Sequence, residues 1–190
     1  MRVAWVLPIV LAAAPALADD RAPQVALAAE LGASGGGGAT PGGMRVGGRY
    51  LYRLADRDWF DGGMAFTFGR SGTGCGPVGP GAMSCEHGVA DGFAGDLSLG
   101  VRRELPGATG FVPFARVALF GRVLRFATDD VTGAAAGGEL GLGLRADLRP
   151  DLAVVGAASA FAGLAHLSDG VGGAGQLGLT VGAAAEFRMR

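Results

Sequence analysis

Between residue 24 and residue 189, short segments of the chain alternate apolar residues with polar ones or glycine instead of following the 3.6-residue period of a helix. The clearest case is the segment 138–148, in which leucine or alanine alternates with glycine or a charged residue. The segment 176–189 repeats the pattern. Because successive side chains of a strand point to opposite faces, each segment predicts a strand with one apolar face and one polar face.

Eight segments fit this description, and two of them leave the facing of their side chains open. Segment 111–126 is apolar on both faces apart from three arginines, and segment 152–167 is mostly alanine. Several segments are as long as the roughly 9–11 residues that a tilted strand needs to cross a membrane. The eight predicted strands cover residues 24–31, 45–54, 60–68, 93–102, 111–126, 138–148, 152–167 and 176–189.

The connections between these strands alternate between long and short. The long, glycine-rich connections are predicted at 35–43, 70–90, 127–137 and 168–174. The short connections are predicted at 55–58, 106–110 and 149–151. An even number of strands brings both termini to one end, and short turns at that end with long loops at the other are typical of outer-membrane barrels.

The first 18 residues have the order of a secretory signal peptide. Arg2 precedes an apolar stretch at 3–11, and Ala16, Leu17 and Ala18 precede an acidic pair. We therefore predict a signal peptide at 1–18 and one domain at 19–190, exported from the cytoplasm.

Alternation alone does not decide which face points inward, since a soluble barrel with an apolar interior has the same period. The polar faces combine glycine and small residues with isolated charges, which suits the narrow interior of an eight-stranded barrel. In a membrane barrel, arginine facing lipid at the midplane would cost about 2–4 kcal/mol. The sequence favours an eight-stranded antiparallel up-and-down transmembrane β-barrel in the outer membrane of a Gram-negative bacterium.

Residues 19–190 resemble the small eight-stranded outer-membrane β-barrel proteins in leader, strand count, loop alternation and final strand. The resemblance implies contact with outer-membrane lipid and lipopolysaccharide, assembly by the barrel-insertion machinery, and a monomeric protein. Such barrels usually end in an aromatic residue, whereas here three residues follow Phe187. A structural or surface-interaction role, with the long loops exposed to an unknown ligand, is the main functional expectation.

The polar faces would enclose charges of both signs in the lumen, where ion pairs can satisfy them. A structural plug of paired charges is the main interpretation, and a small pore is the alternative. The predicted lumen charges are Glu30, Arg45, Arg49, Arg53, Asp61, Asp96, Arg102, Glu139, Arg145, Asp147, Glu186 and Arg188.

Cys75 and Cys85 lie in the glycine- and proline-rich second connection. In an exported chain, two cysteines ten positions apart predict a disulfide. A disulfide that closes so short a loop would contribute roughly 2–3 kcal/mol to the stability of the folded protein. A metal site that also uses His87 is the less favoured alternative.

His166 and Ser168 lie two residues apart near the end of the seventh segment, so they share a face of the strand. The His-x-Ser pattern is similar to that of the outer-membrane lipid A 3-O-deacylases. The resemblance implies a general base at His166, a nucleophile at Ser168 and an acyl chain of lipopolysaccharide as substrate. The chain departs from that family in having Asp169 after the serine and Thr180 where the orienting acid is expected. A histidine at a loop edge without catalytic role is the competing interpretation.

Other functional classes are disfavoured. The net charge of −1 lacks the basic stripe that nucleic-acid binding needs. The glycine run at 35–38 has no lysine to complete a phosphate-binding loop. We therefore predict no bound cofactor, no metal and no nucleic acid.

Overall fold

The structure is a computed structural model. It describes residues 23–38, 40–69, 75–79, 82–85, 92–108, 110–126, 130–168 and 173–189. The predicted signal peptide lies outside these described residues. Within them, no helix is long and apolar enough to span a membrane.

Ten strands account for most of the described chain: β1 (Val25–Gly38), β2 (Gly43–Arg53), β3 (Asp58–Phe68), β4 (Cys75–Gly79), β5 (Ala82–Cys85), β6 (Gly92–Glu104), β7 (Phe111–Phe126), β8 (Val131–Arg149), β9 (Leu152–Leu167) and β10 (Gly173–Met189). Eight of them close into a barrel in the order β1-β10-β9-β8-β7-β6-β3-β2. All neighbours are antiparallel. The predicted eight-stranded up-and-down barrel is confirmed.

The two ends of the barrel differ. The turn end carries the connections 54–57, 105–110 and 150–151 together with residues 23 and 189, and the loop end carries the other four connections.

The predicted long loops at 35–43, 127–137 and 168–174 are wrong in their bounds, because β1, β8 and β10 extend into them. Backbone hydrogen bonding needs no side chain, so the glycines there pair across strands, as Gly36 does with Gly178 and Gly137 with Gly163.

The second connection contains the separate hairpin β4–β5. Its backbone register makes Cys75 and Cys85 direct cross-strand partners. Their side chains are outside the described part of the structure, so the disulfide stays a prediction.

The large apolar side chains point away from the barrel axis, while the charged side chains point into the lumen. Leu119 and Leu164 are 73% and 74% exposed, whereas Asp61 and Glu186 are each 1% exposed. A soluble barrel with an apolar interior, the alternative to a membrane barrel, has the opposite arrangement, so that expectation is wrong.

The sequence left open which side chains of β7 and β9 point inward, and both strands also turn their charged or large inward residues into the lumen. Strand β7 buries Phe114, Arg116, Phe120 and Arg122 in the lumen, while Val117, Leu119 and Val123 point outward. Strand β9 buries Ala153, Val155, Phe161, Ala165 and Leu167. Its alanines gave no signal because both faces are small.

Three lumen phenylalanines each face a glycine directly across the strand pair. Phe114 is opposite Gly143, Phe120 is opposite Gly137, and Phe161 is opposite Gly178. A Cβ atom added to Gly143 would lie 2.2 Å from Phe114 Cζ, so the ring occupies the space that a side chain would need. Large and small residues thus complement one another inside the narrow barrel.

Arginines cover these rings from the lumen side. The guanidinium carbon of Arg102 lies 4.1 Å from the ring centre of Phe114, and that of Arg122 lies 4.6 Å from the ring centre of Phe161. These cation–π contacts hold the guanidinium groups in place while their edges remain available for carboxylates.

Candidate functional site

The charged lumen is the strongest candidate for a functional site, and strand β6 shows how it is ordered along the barrel. Its inward residues run from Ala94 at the loop end through Asp96, Ser98 and Arg102 to Glu104 at the turn end. Each of the four polar residues contacts arginines or carboxylates from other strands. The contacts divide into three clusters, one above the other.

The loop-end cluster joins Arg45, Asp96 and Arg122. Arg122 binds the Asp96 carboxylate in a bidentate manner, with Nε 2.5 Å from Oδ1 and Nη2 3.0 Å from Oδ2. Arg45 pairs with the same carboxylate from β2 and also donates to Thr67 Oγ1 at 3.4 Å. All three charged residues are buried, so the interaction is little screened by water.

The middle cluster is a chain of five charges from five strands. Arg49 Nη1 lies 2.8 Å from Asp61 Oδ1 and also pairs with Glu30. Arg116 connects the other oxygen of Asp61, at 3.1 Å, to Glu139 Oε1, at 2.8 Å. The network therefore fastens β1, β2, β3, β7 and β8 to one another across the lumen.

The turn-end cluster involves β6, β8 and β10 and comprises Arg102, Glu104, Arg145, Asp147, Glu186 and Arg188. Arg102 Nη1 donates to Glu186 Oε2 at 2.6 Å. Arg188 lies 2.9 Å from Glu186 and 3.3 Å from Glu104, which also pairs with Arg145. Side chains at this end keep some exposure, with Glu104 at 13% and Arg188 at 11%.

A cavity of about 70 Å³ separates the middle and turn-end clusters. Charged groups including Arg49, Arg102 and Glu139 line one side, and small residues including Gly141 and Gly182 line the other. A cavity of this size has room for a few water molecules.

Apolar residues close the lumen beyond the charged clusters at the loop end and lie beside the charged residues at the turn end. At the loop end, one packed cluster contains Ala94, Leu124, Phe126, Val131, Ala135, Ala165 and Leu167. At the turn end, Ala26, Ala28, Leu51 and Trp59 form a second cluster. The loop-end apolar layer and the buried ion pairs together favour a filled lumen over a continuous aqueous path.

Eleven of the twelve predicted lumen charges lie in the three clusters. The twelfth, Arg53, donates to the carbonyl oxygens of Ala55 and Asp56 in a turn-end connection. The prediction missed Glu104, Arg116 and Arg122. Arg116 and Arg122 are an even number of residues apart, a signal that both share one face of β7, whereas Arg125 lies on the other face at the loop end.

His166 lies on the outward side of β9 and Ser168 directly follows the strand, and both are exposed. Ser168 Oγ accepts a hydrogen bond from the backbone N–H of Thr132 at 3.0 Å. Within the described chain, no hydrogen bond joins the histidine to the serine and no carboxylate binds the imidazole. Thr180 points into the lumen, where its hydroxyl donates to Ser34 Oγ at 3.3 Å. Asp169 lies outside the described residues, so the deacylase activity stays a prediction that this geometry does not favour.

No metal centre is present among the described residues, since no three histidine, cysteine or acidic side chains are grouped as ligands there. The predicted partner residue His87 lies outside the described part of the chain.

Comparison with known proteins identifies the fold. No protein-family model matches the chain, and no curated protein matches it. Among solved structures, Neisserial surface protein A matches with a TM-score of 0.62 and 9% identity, over 87% of this chain and 97% of that one. The N-terminal β-barrel domain of Pseudomonas aeruginosa OprF matches with a TM-score of 0.53 and 15% identity, over 87% and 99% of the two chains.

The outer membrane protein OprG from Pseudomonas aeruginosa also matches, with a TM-score of 0.53 and 10% identity, over 88% and 98% of the two chains. The chain therefore has the fold of the small outer-membrane β-barrels. At these identities the likeness concerns the fold alone.

Proposed function

We propose that this chain spans the outer membrane of a Gram-negative bacterium as a monomeric barrel with a plugged lumen, and that it acts as a structural and surface-interaction protein. Export by the predicted signal peptide and insertion by the barrel-insertion machinery are parts of the proposal. The inside-out distribution of apolar and charged side chains supports the membrane location.

The ends of the outward faces support the same location. The outward aromatic residues near the loop end include Phe66, Phe68 and Phe93, whose rings lie 5.6–5.8 Å apart at the contacts with Phe93. Tyr50 and Tyr52 lie outward nearer the turn end. Two aromatic levels of this kind mark the two interfaces of a membrane barrel.

Charged residues on the outward faces of the described strands lie at the strand ends. Asp58 and Arg103 form an ion pair at the turn end, and Arg125 pairs with Asp130 at the loop end. The middle of the outward surface therefore presents apolar and small residues to lipid, which avoids the cost of arginine at the midplane.

The observation that carries the proposed role is the filled lumen. Every carboxylate of the middle cluster contacts at least one arginine, and apolar residues close the lumen at the loop end. Solute passage would require breaking several buried ion pairs at once. The loop end, with the hairpin β4–β5 in its second connection, is then the part available to a surface partner.

Planar-bilayer recording of the purified full-length protein tests this role. We expect no discrete conductance steps, because the clusters and the loop-end apolar layer leave no continuous aqueous path. A barrel of established fold that conducts ions in reproducible steps would contradict the plug and favour the small pore.

A further inference from the structure

The cavity between the middle and turn-end clusters lies against a bare part of the lumen wall. The register makes Gly32 of β1, Gly182 of β10 and Ala157 of β9 direct neighbours at one level of the barrel. Gly182 and Ala157 occupy inward positions, yet both are exposed. The arginines that extend from β2, β6 and β7 therefore do not fill the space in front of this wall, and a cavity of about 70 Å³ remains.

The middle cluster presents an excess of negative charge to this cavity. It combines three carboxylates with two guanidinium groups, and its charges alternate in sign along the chain of ion pairs. Both ends of that chain are carboxylates, Glu30 and Glu139, and both line the cavity. Within the described chain Glu30 pairs with Arg49 alone, and its side chain is 23% exposed. An ammonium group in the cavity would continue the alternation and neutralise the excess charge.

The turn-end cluster presents free hydrogen-bond donors to the same cavity. Arg102 lines the cavity and is 3% exposed. Its Nη1 atom donates to Glu186, whereas Nε and Nη2 have no hydrogen-bond partner among the described residues. The nearest carboxylate of its own strand, Glu104, lies 3.7 Å from Nη2, beyond hydrogen-bond distance. Buried donors without an acceptor are costly, so this edge of Arg102 indicates an acceptor supplied by a solute.

The free edge of Arg102 has the geometry that binds a carboxylate elsewhere in this lumen. Arg122 holds the carboxylate of Asp96 through the same two atoms, Nε and Nη2. The ring centre of Phe114 lies 4.1 Å from the guanidinium carbon of Arg102 and fixes the plane of the group. A solute carboxylate in that plane would accept two parallel hydrogen bonds.

We propose that the cavity binds a small α-amino acid as a zwitterion, with its ammonium group at Glu30 and Glu139 and its carboxylate at Arg102. The solute would thus bridge the middle and turn-end clusters. The described lining contains four arginines and four carboxylates, so a neutral solute with separated charges leaves the overall balance unchanged.

The size of the cavity limits the side chain of the solute. The cavity has room for about five water molecules, and glycine and alanine have about as many non-hydrogen atoms. The bare wall at Ala157 and Gly182 accommodates a hydrogen atom or a methyl group. The inference goes beyond the proposed plug, because the solute is held in the lumen without passing through the apolar layer at the loop end.

Equilibrium dialysis of radiolabelled alanine against the purified full-length protein in mild detergent tests the site. We expect saturable binding of one alanine per barrel, and competition by unlabelled glycine. Acetate and methylamine each carry one of the two charges and should compete at least about tenfold more weakly, because each leaves one end of the cavity unpaired. Leucine should compete as weakly, because its side chain exceeds the space at the wall.

Three substitutions within the cavity should each weaken alanine binding about tenfold or more. Ala157→Leu fills the space at the wall, Glu30→Gln removes the charge that binds the ammonium group, and Arg102→Lys keeps the positive charge but removes the two-donor edge. Two matched controls should keep wild-type affinity: Ala160→Leu, on the outward face of the same strand, and Asp147→Asn, in the turn-end cluster but outside the cavity lining. Heat-dependent gel mobility shows which variants retain the barrel.

An intact wild-type barrel without saturable alanine binding would overturn the proposal. Equal affinity in the cavity variants and their controls would also overturn it, as would acetate or methylamine competing as well as glycine. These results would leave the proposed plug standing, because planar-bilayer recording tests the plug separately.

Discussion

Individual arginines hold the lumen together through more than one partner each. Arg116 illustrates this, because it contacts Asp61, Glu139 and Ser98 and is 5% exposed at its side chain. A buried ion pair is not strongly stabilising relative to apolar residues, but leaving one member unpaired is costly. The clusters therefore act as a unit, and single substitutions should be far more harmful than paired ones.

Arg116→Ala is expected to lower the free energy of unfolding by about 3–5 kcal/mol, because Glu139 loses its nearest cation and Asp61 keeps only Arg49. Urea titration of the protein in lipid vesicles measures the change. Arg125→Ala is the matched control, since the ion pair of Arg125 with Asp130 is exposed. We expect this substitution to lower the free energy of unfolding by at most about 1 kcal/mol. The double variant Arg116→Met/Glu139→Met should regain part of the loss. An equal effect of the two arginine substitutions would contradict the plug.

The glycine–phenylalanine pairs are a second feature at this scale. Gly143→Ala is expected to destabilise the barrel by roughly 1–3 kcal/mol, because its Cβ would overlap Phe114 and approach the carbonyl oxygen of Gly156 at 2.7 Å. Gly156→Ala is the control, since open space surrounds the added methyl group. The same urea titration compares the two, and a neutral Gly143→Ala variant would show that the ring moves without cost.

At the scale of elements, the two-residue period predicted where strands form and which side chains point inward, wherever the two faces of a strand differ in polarity. It did so for 138–148, where leucine alternates with charged or glycine residues, and β8 indeed turns Leu140, Leu142 and Leu144 outward. It left β7 undecided, because phenylalanine and leucine fill both faces. Strand ends were predicted less well, since glycine-rich segments carry no apolar pattern although their backbones pair.

The pairing of charges could not be predicted in the same way. The sequence places Asp61 on an inward face, but Arg116, 55 residues away, only once the facing of β7 is known. Which carboxylate meets which arginine depends on register and on the stagger of strands around the barrel. That information arises from closure of the sheet.

The hairpin β4–β5 carries the remaining element-scale prediction. Its register places Cys75 opposite Cys85, and directly opposed residues in antiparallel strands have Cα separations of about 4.5–5.5 Å, within the range that a disulfide spans. We expect no free thiol in the exported protein before reduction and two after it, measured by alkylation and intact mass. The barrel should keep its heat-dependent gel mobility after reduction, because β4 and β5 form a separate sheet. Two alkylated cysteines in the unreduced protein would contradict the disulfide.

At the scale of the whole molecule, the account depends on an inverted distribution of polarity. Apolar side chains cover the outside of a closed sheet, and three clusters of paired charges lie inside it below an apolar layer at the loop end. Closure leaves no free sheet edge along the barrel and requires small residues opposite large ones in the lumen. The fold itself is shared with outer-membrane barrels at identities of 9–15%.

Fluorescence quenching by lipids with brominated acyl chains tests this distribution most directly. After removal of the predicted signal peptide, which contains Trp5, the single tryptophan is Trp59, 3% exposed within the turn-end apolar cluster of the lumen. Tyr50 lies outward on the neighbouring strand. The account predicts weak quenching of Trp59 and several-fold stronger quenching of a tryptophan introduced by Tyr50→Trp in a Trp59→Phe background. Stronger quenching of Trp59 than of the residue at position 50 would contradict it.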